Sequence, residues 1–104
     1  MFSNMRYVYE VYKQKSFSKA ARKLFISQPS LSAMIKKTEE KLGITIFDRS
    51  SYPVKLTDEG AVYIEAVEKI MDIENQTKQY FEENDDVVRG KLKIGGPNSL
   101  FISY

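Results

Sequence analysis

Residues 16–60 read SFSKAARKLFISQPSLSAMIKKTEEKLGITIFDRSSYPVKLTDEG, and the part from Ser27 to Gly43 decides the fold. Ser27 is a side-chain cap, Pro29 stands in a first turn where its missing N–H costs nothing, and Gly43 supplies a left-handed terminator. At about 100° per residue, Leu31, Ile35, Thr38 and Leu42 fall within about 60° of one another, with Met34 at their edge. Those residues face a core. Pro29, Ser32, Ala33, Lys36, Lys37 and Glu40 point away from it. The pattern predicts a helix over residues 28–42.

Upstream, Ser18 is the expected cap of a short second helix carrying Ala20, Ala21 and Leu24, closed by Phe25 and Ile26. The two alanines are small enough to let another helix approach closely. A first helix over residues 3–14 buries Met5, Val8, Val11 and Tyr12 and ends in the loop Lys15-Ser16-Phe17. Downstream, residues 45–48 and 54–57 read as strands of a hairpin, with Arg49-Ser50-Ser51-Tyr52-Pro53 between them. Thr57 caps a long helix with Asp58 and Glu59 at its positive end, running to about Asn84, or roughly 40 Å.

Along that helix Tyr63, Ala66, Ile70, Ile73, Thr77 and Tyr80 recur at alternating spacings of three and four. This is a heptad seam, widened by Ile64, Val67, Met71 and Phe81. The expectation is twofold: the helix packs on the first helix and pairs with its copy in a homodimer, mostly through its C-terminal part. An acidic hinge follows at 85–90. Residues 91–95 alternate like a strand, and Leu100-Phe101-Ile102 opens something further. The simplest account divides the chain into a winged domain (1–57), a dimerising helix (58–84), a hinge (85–90) and the start of another domain (91–104).

The chain has 104 residues, 42% hydrophobic and 29% charged, an ordinary globular composition for one small domain. It has no Cys and no His. Disulfides, thiolate nucleophiles and Cys-based zinc sites are excluded, and the commonest general base and metal ligand are missing. No catalytic site, metal or cofactor is expected. No apolar run approaches the roughly 20 residues of a membrane span, and the N-terminus lacks a secretory pattern, so a cytoplasmic protein is expected. Net charge is only +2, yet residues 1–57 hold 11 Lys and Arg against 4 Asp and Glu, a balance of +7. Residues 58–104 hold 5 against 10, a balance of −5. Such a split points to a polyanion partner for the basic part.

Two short helices joined by a tight turn and followed by a hairpin make a mainly α winged helix-turn-helix, whose second helix enters the major groove of double-stranded DNA. The outward residues suit that task. Gln28, Ser30 and Ser32 donate and accept at base edges, Pro29 and Ala33 offer flat apolar contact, and Lys36, Lys37 and Lys41 meet phosphates or guanine acceptors. Ser27 and the helix N-terminus can hold a phosphate. Arg49 and Lys55 flank the wing for the backbone or minor groove, and Lys19, Arg22 and Lys23 cluster for a phosphate run. Each has a plainer alternative: Ser27 as a cap alone, the lysines as a solvated face offset by Glu39 and Glu40, Arg49 as an anchor of the hairpin. Phe17, Phe47 and Tyr12 are expected in the core.

The segment resembles the N-terminal domain of LysR-type transcriptional regulators. The matching pieces are Ser16-Phe17 with Ala20-Ala21 and Leu24, Ser27-Gln28-Pro29-Ser30-Leu31-Ser32, Ile35, Glu39, Leu42-Gly43, Phe47-Asp48-Arg49, and Leu56-Thr57 with Gly60. The resemblance covers about residues 1–95, ending on a Gly-x-Leu-x-Ile-Gly run at 90–95. It implies a bacterial regulator with an effector domain that senses a small molecule, linker helices paired antiparallel between subunits, and a tetramer at full length. It implies base contacts by Gln28, Pro29, Ser30, Ser32 and Ala33, and backbone contact or support by Ser27 and Arg49. Three positions depart from the pattern: Ala33 where a long polar residue is usual, Thr38 at an apolar packing site, and Tyr52 where the wing tip usually carries Arg or Lys. The alternative in another class is a winged-helix module for protein interaction and dimerisation without specific DNA binding.

Overall fold

The computed structural model describes residues 1–83. Its elements run α1 (Met5–Gln14), α2 (Phe17–Leu24), α3 (Gln28–Leu42), β1 (Phe47–Asp48), β2 (Lys55–Leu56) and α4 (Asp58–Glu83). The hinge at 85–90, the strand at 91–95 and the apolar stub at 100–102 lie outside the described residues. The chain divides into two compact units, Met1–Lys69 and Ile70–Tyr104. The first thus includes about three turns of α4.

The core of the first unit forms where the small residues of α2 let the other helices close in. Val8 and Val11 of α1, Ala20 and Ala21 of α2, Leu31 and Ile35 of α3, Ile46, and Val67 of α4 are all buried. Full burial of each large aliphatic side chain stabilises the fold by about 1.5–3 kcal/mol. Thr38 also belongs to this interior. Its hydroxyl donates to the Met34 carbonyl at 3.2 Å and accepts from Asn4 Nδ2 at 3.4 Å, so its polar atom is paired. Phe17 packs edge-on against Phe47, both buried, with ring centroids 5.7 Å apart; Tyr12 is half-buried.

Each of the first three helices ends on a residue with left-handed backbone: Lys15 (φ 56°), Phe25 (φ 60°) and Gly43 (φ 73°). At the end of α2 the Phe25 N–H bonds the Arg22 carbonyl, and the Ile26 N–H reaches back to Ala21 at 3.1 Å. This Schellman-type closure holds the turn into α3, although a side chain in left-handed backbone costs about 1–2 kcal/mol. The Phe25 ring itself is 94% exposed.

The second helix starts earlier than expected. Ser16, not Ser18, is its cap, accepting from the Lys19 N–H at 3.1 Å. Starting at Phe17 places Phe17, Ala20, Ala21 and Leu24 on one face at helical spacing, which a cap at Ser18 would forfeit. The first helix starts later, at Met5 rather than Ser3, because the preceding residues turn: the Met5 N–H bonds Phe2 O, and Phe2 stacks on Tyr63 with centroids 5.3 Å apart.

The hairpin pairs Phe47 with Leu56 and Asp48 with Lys55, antiparallel, and each strand is two residues long rather than four. Part of the flanking backbone is committed elsewhere. Thr57 N–H still reaches across the hairpin to the Ile46 carbonyl at 3.0 Å, but Ile46 N–H goes to the Glu39 carboxylate at 2.7 Å. Val54 N–H goes to the Lys15 carbonyl at 3.0 Å, strapping the second strand to the end of α1. Thr57 caps α4 as expected, its hydroxyl accepting from the Gly60 N–H at 2.9 Å and donating to the Thr45 carbonyl. Gly60 is required on steric grounds: a Cβ there would lie 2.0 Å from the Ile46 carbonyl oxygen. Among the described residues no helix is long and apolar enough to cross a membrane.

Candidate nucleic-acid interface

The outward side of α3 follows from its buried stripe. With Leu31, Ile35 and Thr38 turned in, Gln28, Pro29, Ser30, Ala33, Lys36 and Lys37 are all exposed, and Ser32 is half-buried at the edge. Ser27 is occupied by its own helix. Its hydroxyl accepts from the Ser30 N–H at 3.2 Å and donates to the Ser30 hydroxyl at 2.8 Å. Lys19, Arg22 and Lys23 are exposed on α2, and Lys55 is exposed on β2 beside Asp48.

Arg49 is engaged by the fold itself. Its guanidinium donates to Ser32 Oγ at 2.8 Å, lies 3.6 Å from Glu39 Oε1, and sits over the Phe17 ring at 4.4 Å. The anchoring role weighed above for Arg49 therefore has a definite geometry, joining the wing to α3. Glu39 completes it. Its other carboxylate oxygen accepts from Ile46 N–H at 2.7 Å and Phe47 N–H at 3.3 Å, and the side chain is only 12% exposed.

That placement corrects the charge balance drawn from the sequence. Glu39 does not offset the lysines of the outer face, because its charge is directed inward onto Arg49 and two backbone N–H groups. Glu40 alone remains on the exposed side of α3 beside Lys36, Lys37 and Lys41. The signal was present in the spacing: Glu39 is four residues after Ile35 and three before Leu42, so it flanks the buried stripe.

At the wing, Asp48 accepts from both the Ser50 N–H and the Ser50 hydroxyl, and these bonds hold its carboxyl below the usual carboxylate range. Tyr52 at the tip is exposed, and the Tyr52–Pro53 peptide is cis. Tyr52 rather than a cation therefore stands at the end of the wing.

The proposed dimerisation seam is not one continuous exposed surface. Tyr63 is buried in the first unit, stacked on Phe2, with its hydroxyl donating to the Met1 carbonyl at 3.1 Å; Ala66 is half-buried there. Burial raises the Tyr63 phenol above its ordinary value. In the second unit Ile70 is half-buried, whereas Ile73, Thr77 and Tyr80 are exposed, together with Phe81. Ile73 is 63% exposed, and Thr77 closes on its own helix by donating to the Ile73 carbonyl at 2.8 Å.

Residues 2–61 match the model of the bacterial regulatory helix-turn-helix proteins of the lysR family. The HTH-type transcriptional regulator YcgK of Bacillus subtilis is 42% identical over 93 residues, covering 89% of this chain and 29% of that protein. BenM of Acinetobacter baylyi, also an HTH-type transcriptional regulator, is 44% identical over 68 residues, 65% of this chain and 22% of its own length. The solved complex of the BenM DNA-binding domain with benA site 1 DNA superposes with a TM-score of 0.69 at 38% identity, covering 82% of this chain and 92% of that one. The chain spans less than a third of the length of these two regulators. With the family model matched over more than half of its residues, and with the capped α2–α3 pair and paired wing in place, this chain belongs to the LysR family of bacterial regulatory helix-turn-helix proteins.

Proposed function

We propose that this chain is the DNA-binding part of a bacterial transcriptional regulator, reading duplex DNA with α3 in the major groove. The observation that carries it is the outer face of α3. Gln28, Pro29, Ser30 and Ala33 are exposed together near its N-terminal end, Lys36 and Lys37 continue the same side, and Glu39 is turned away. Gln28 and the serines suit base edges, and the lysines suit phosphates. Lys19, Arg22 and Lys23 on α2 and Lys55 on the wing extend the cationic margin for a flanking phosphate run. Similarity to the BenM domain solved on DNA supports DNA as the partner.

In this role residues 1–57 bind DNA as part of a cytoplasmic homodimer. Residues 58–84 dimerise through Ile73, Tyr80 and Phe81. A two-fold dimer calls for an inverted repeat whose half-sites lie one helical turn or a multiple apart. The chain contributes binding rather than catalysis. A tetramer and a small-molecule effector belong to a full-length regulator containing it.

The test is selection of bound duplexes from random DNA, followed by affinity against salt. An enriched inverted repeat is expected, with affinity falling steeply between about 50 and 200 mM salt. No enrichment, or a flat salt dependence, overturns the proposal.

A further inference from the structure

Ser32 and Arg49 stand 17 residues apart, and the fold joins them by a 2.8 Å hydrogen bond. A serine hydroxyl carries one proton and two lone pairs. Here a guanidinium N–H occupies one lone pair of Ser32 Oγ, at the edge of the face assigned above to DNA. Donation from a charged group polarises the hydroxyl: its proton becomes a stronger donor and its remaining lone pair a weaker acceptor. Arg49 is itself held by the Glu39 carboxylate and the Phe17 ring, so this polarity exists before any ligand arrives.

We infer that Arg49 is a positioning residue that makes Ser32 a hydrogen-bond donor toward the major groove, so that Ser32 selects an acceptor atom and rejects an amino group. Base edges in the groove differ in this respect. Guanine offers N7 and O6, adenine N7 and thymine O4 as acceptors, whereas the cytosine and adenine amino groups donate. A hydroxyl with one lone pair taken by a cation and the other weakened favours the first class over the second. Ser30 provides an internal contrast, since its oxygen accepts only from the neutral Ser27 hydroxyl, which polarises it less. The inference rests on the DNA-binding proposal and adds which atom of a base the site takes.

The experiment uses the 104-residue chain and the duplex it enriches from random DNA. Within one half-site, single acceptors are deleted with 7-deazapurines for N7, 2-aminopurine for guanine O6 and 5-methyl-2-pyrimidinone for thymine O4. Single amino groups are deleted with unsubstituted purine for adenine and 2-pyrimidinone for cytosine. One acceptor deletion is expected to weaken the unsubstituted protein about fivefold and to leave Ser32→Ala nearly unaffected, the size of a single net hydrogen bond. Ser32→Thr, which retains the hydroxyl, restores the sensitivity and separates lost contact from lost folding. Arg49→Met, which keeps an apolar stem over Phe17, is expected to reduce it to about twofold or less.

Coupling of Ser32 to an amino deletion, or to no analogue, overturns the inference while leaving DNA binding intact. Full coupling retained in Arg49→Met overturns the role given to Arg49. Failure to enrich any duplex overturns the inference together with the proposal beneath it.

Discussion

The two halves of α4 carry similar apolar residues and use them differently. Before Lys69, Gly60, Tyr63, Ile64 and Val67 are buried. After it, Ile73, Tyr80 and Phe81 stand exposed. Helical spacing alone does not distinguish them, because the three-four rhythm runs through both. What differs is what the chain supplies opposite. The first half has Phe2, the Met1 carbonyl and the Ile46 backbone against it. The second half presents apolar side chains to solvent, the condition in which a second subunit gains most by covering them. A hydrophobic repeat therefore reports burial somewhere without saying whether one chain is enough.

Substitutions on the two sides test that contrast. The largest effect is expected at Ile64→Ala, which should destabilise the first unit by about 3 kcal/mol in urea or thermal unfolding, because it opens a cavity in a closed interior. Gly60→Ala should cost about 2 kcal/mol in the same assay, since its methyl group meets a backbone oxygen rather than a yielding side chain. Ile73→Glu should reverse the pattern. At dilute protein its unfolding should shift by less than about 0.5 kcal/mol, while self-association measured by sedimentation weakens about tenfold. An equal loss of stability at Ile64 and Ile73 would erase the distinction.

The smallest effect is expected from pH. Burial raises the Tyr63 phenol in the folded chain above its ordinary value of 10.0. The neutral phenol is thus favoured by folding, and this contribution is fully present below the unfolded value and lost as pH rises through the folded one. Unfolding midpoints should therefore decline as pH rises above 10.0, with a flatter decline in Tyr63→Phe.

The helix proposed to read DNA was legible nearly residue by residue as a fold element. Ser27, Pro29 and Gly43 mark the ends of α3 locally, and its Leu31–Ile35–Thr38 stripe is wide enough to orient it without knowledge of neighbours. Less was legible where a group answers to something distant in sequence. Ser16 and Ser18 both stand where a cap belongs, and only the burial of Phe17 decides between them. The strands are two residues long rather than four because Glu39 and Lys15 take backbone donors from either side of the hairpin. The spacing sets Glu39 beside the buried stripe, but nothing local shows that Arg49 is brought to it. Phe25 gives no sequence signal of its left-handed backbone, because Gly or Asn is the usual occupant of such a position. Of the proposed interface, the exposed residues of α3 could be named in advance; the bond tying Ser32 to Arg49 could not.

The strap from Val54 to Lys15 has a consequence for how such a molecule can diversify. A hairpin of two residues per strand has no stability of its own in water, so the wing stands where it does because the helices hold its base. At the tip, Ser50 bonds only within the wing, to Asp48, and Tyr52 is exposed. Substitutions at Ser51 or Tyr52 leave that foundation in place. The wing is a fixed mount with an interchangeable end.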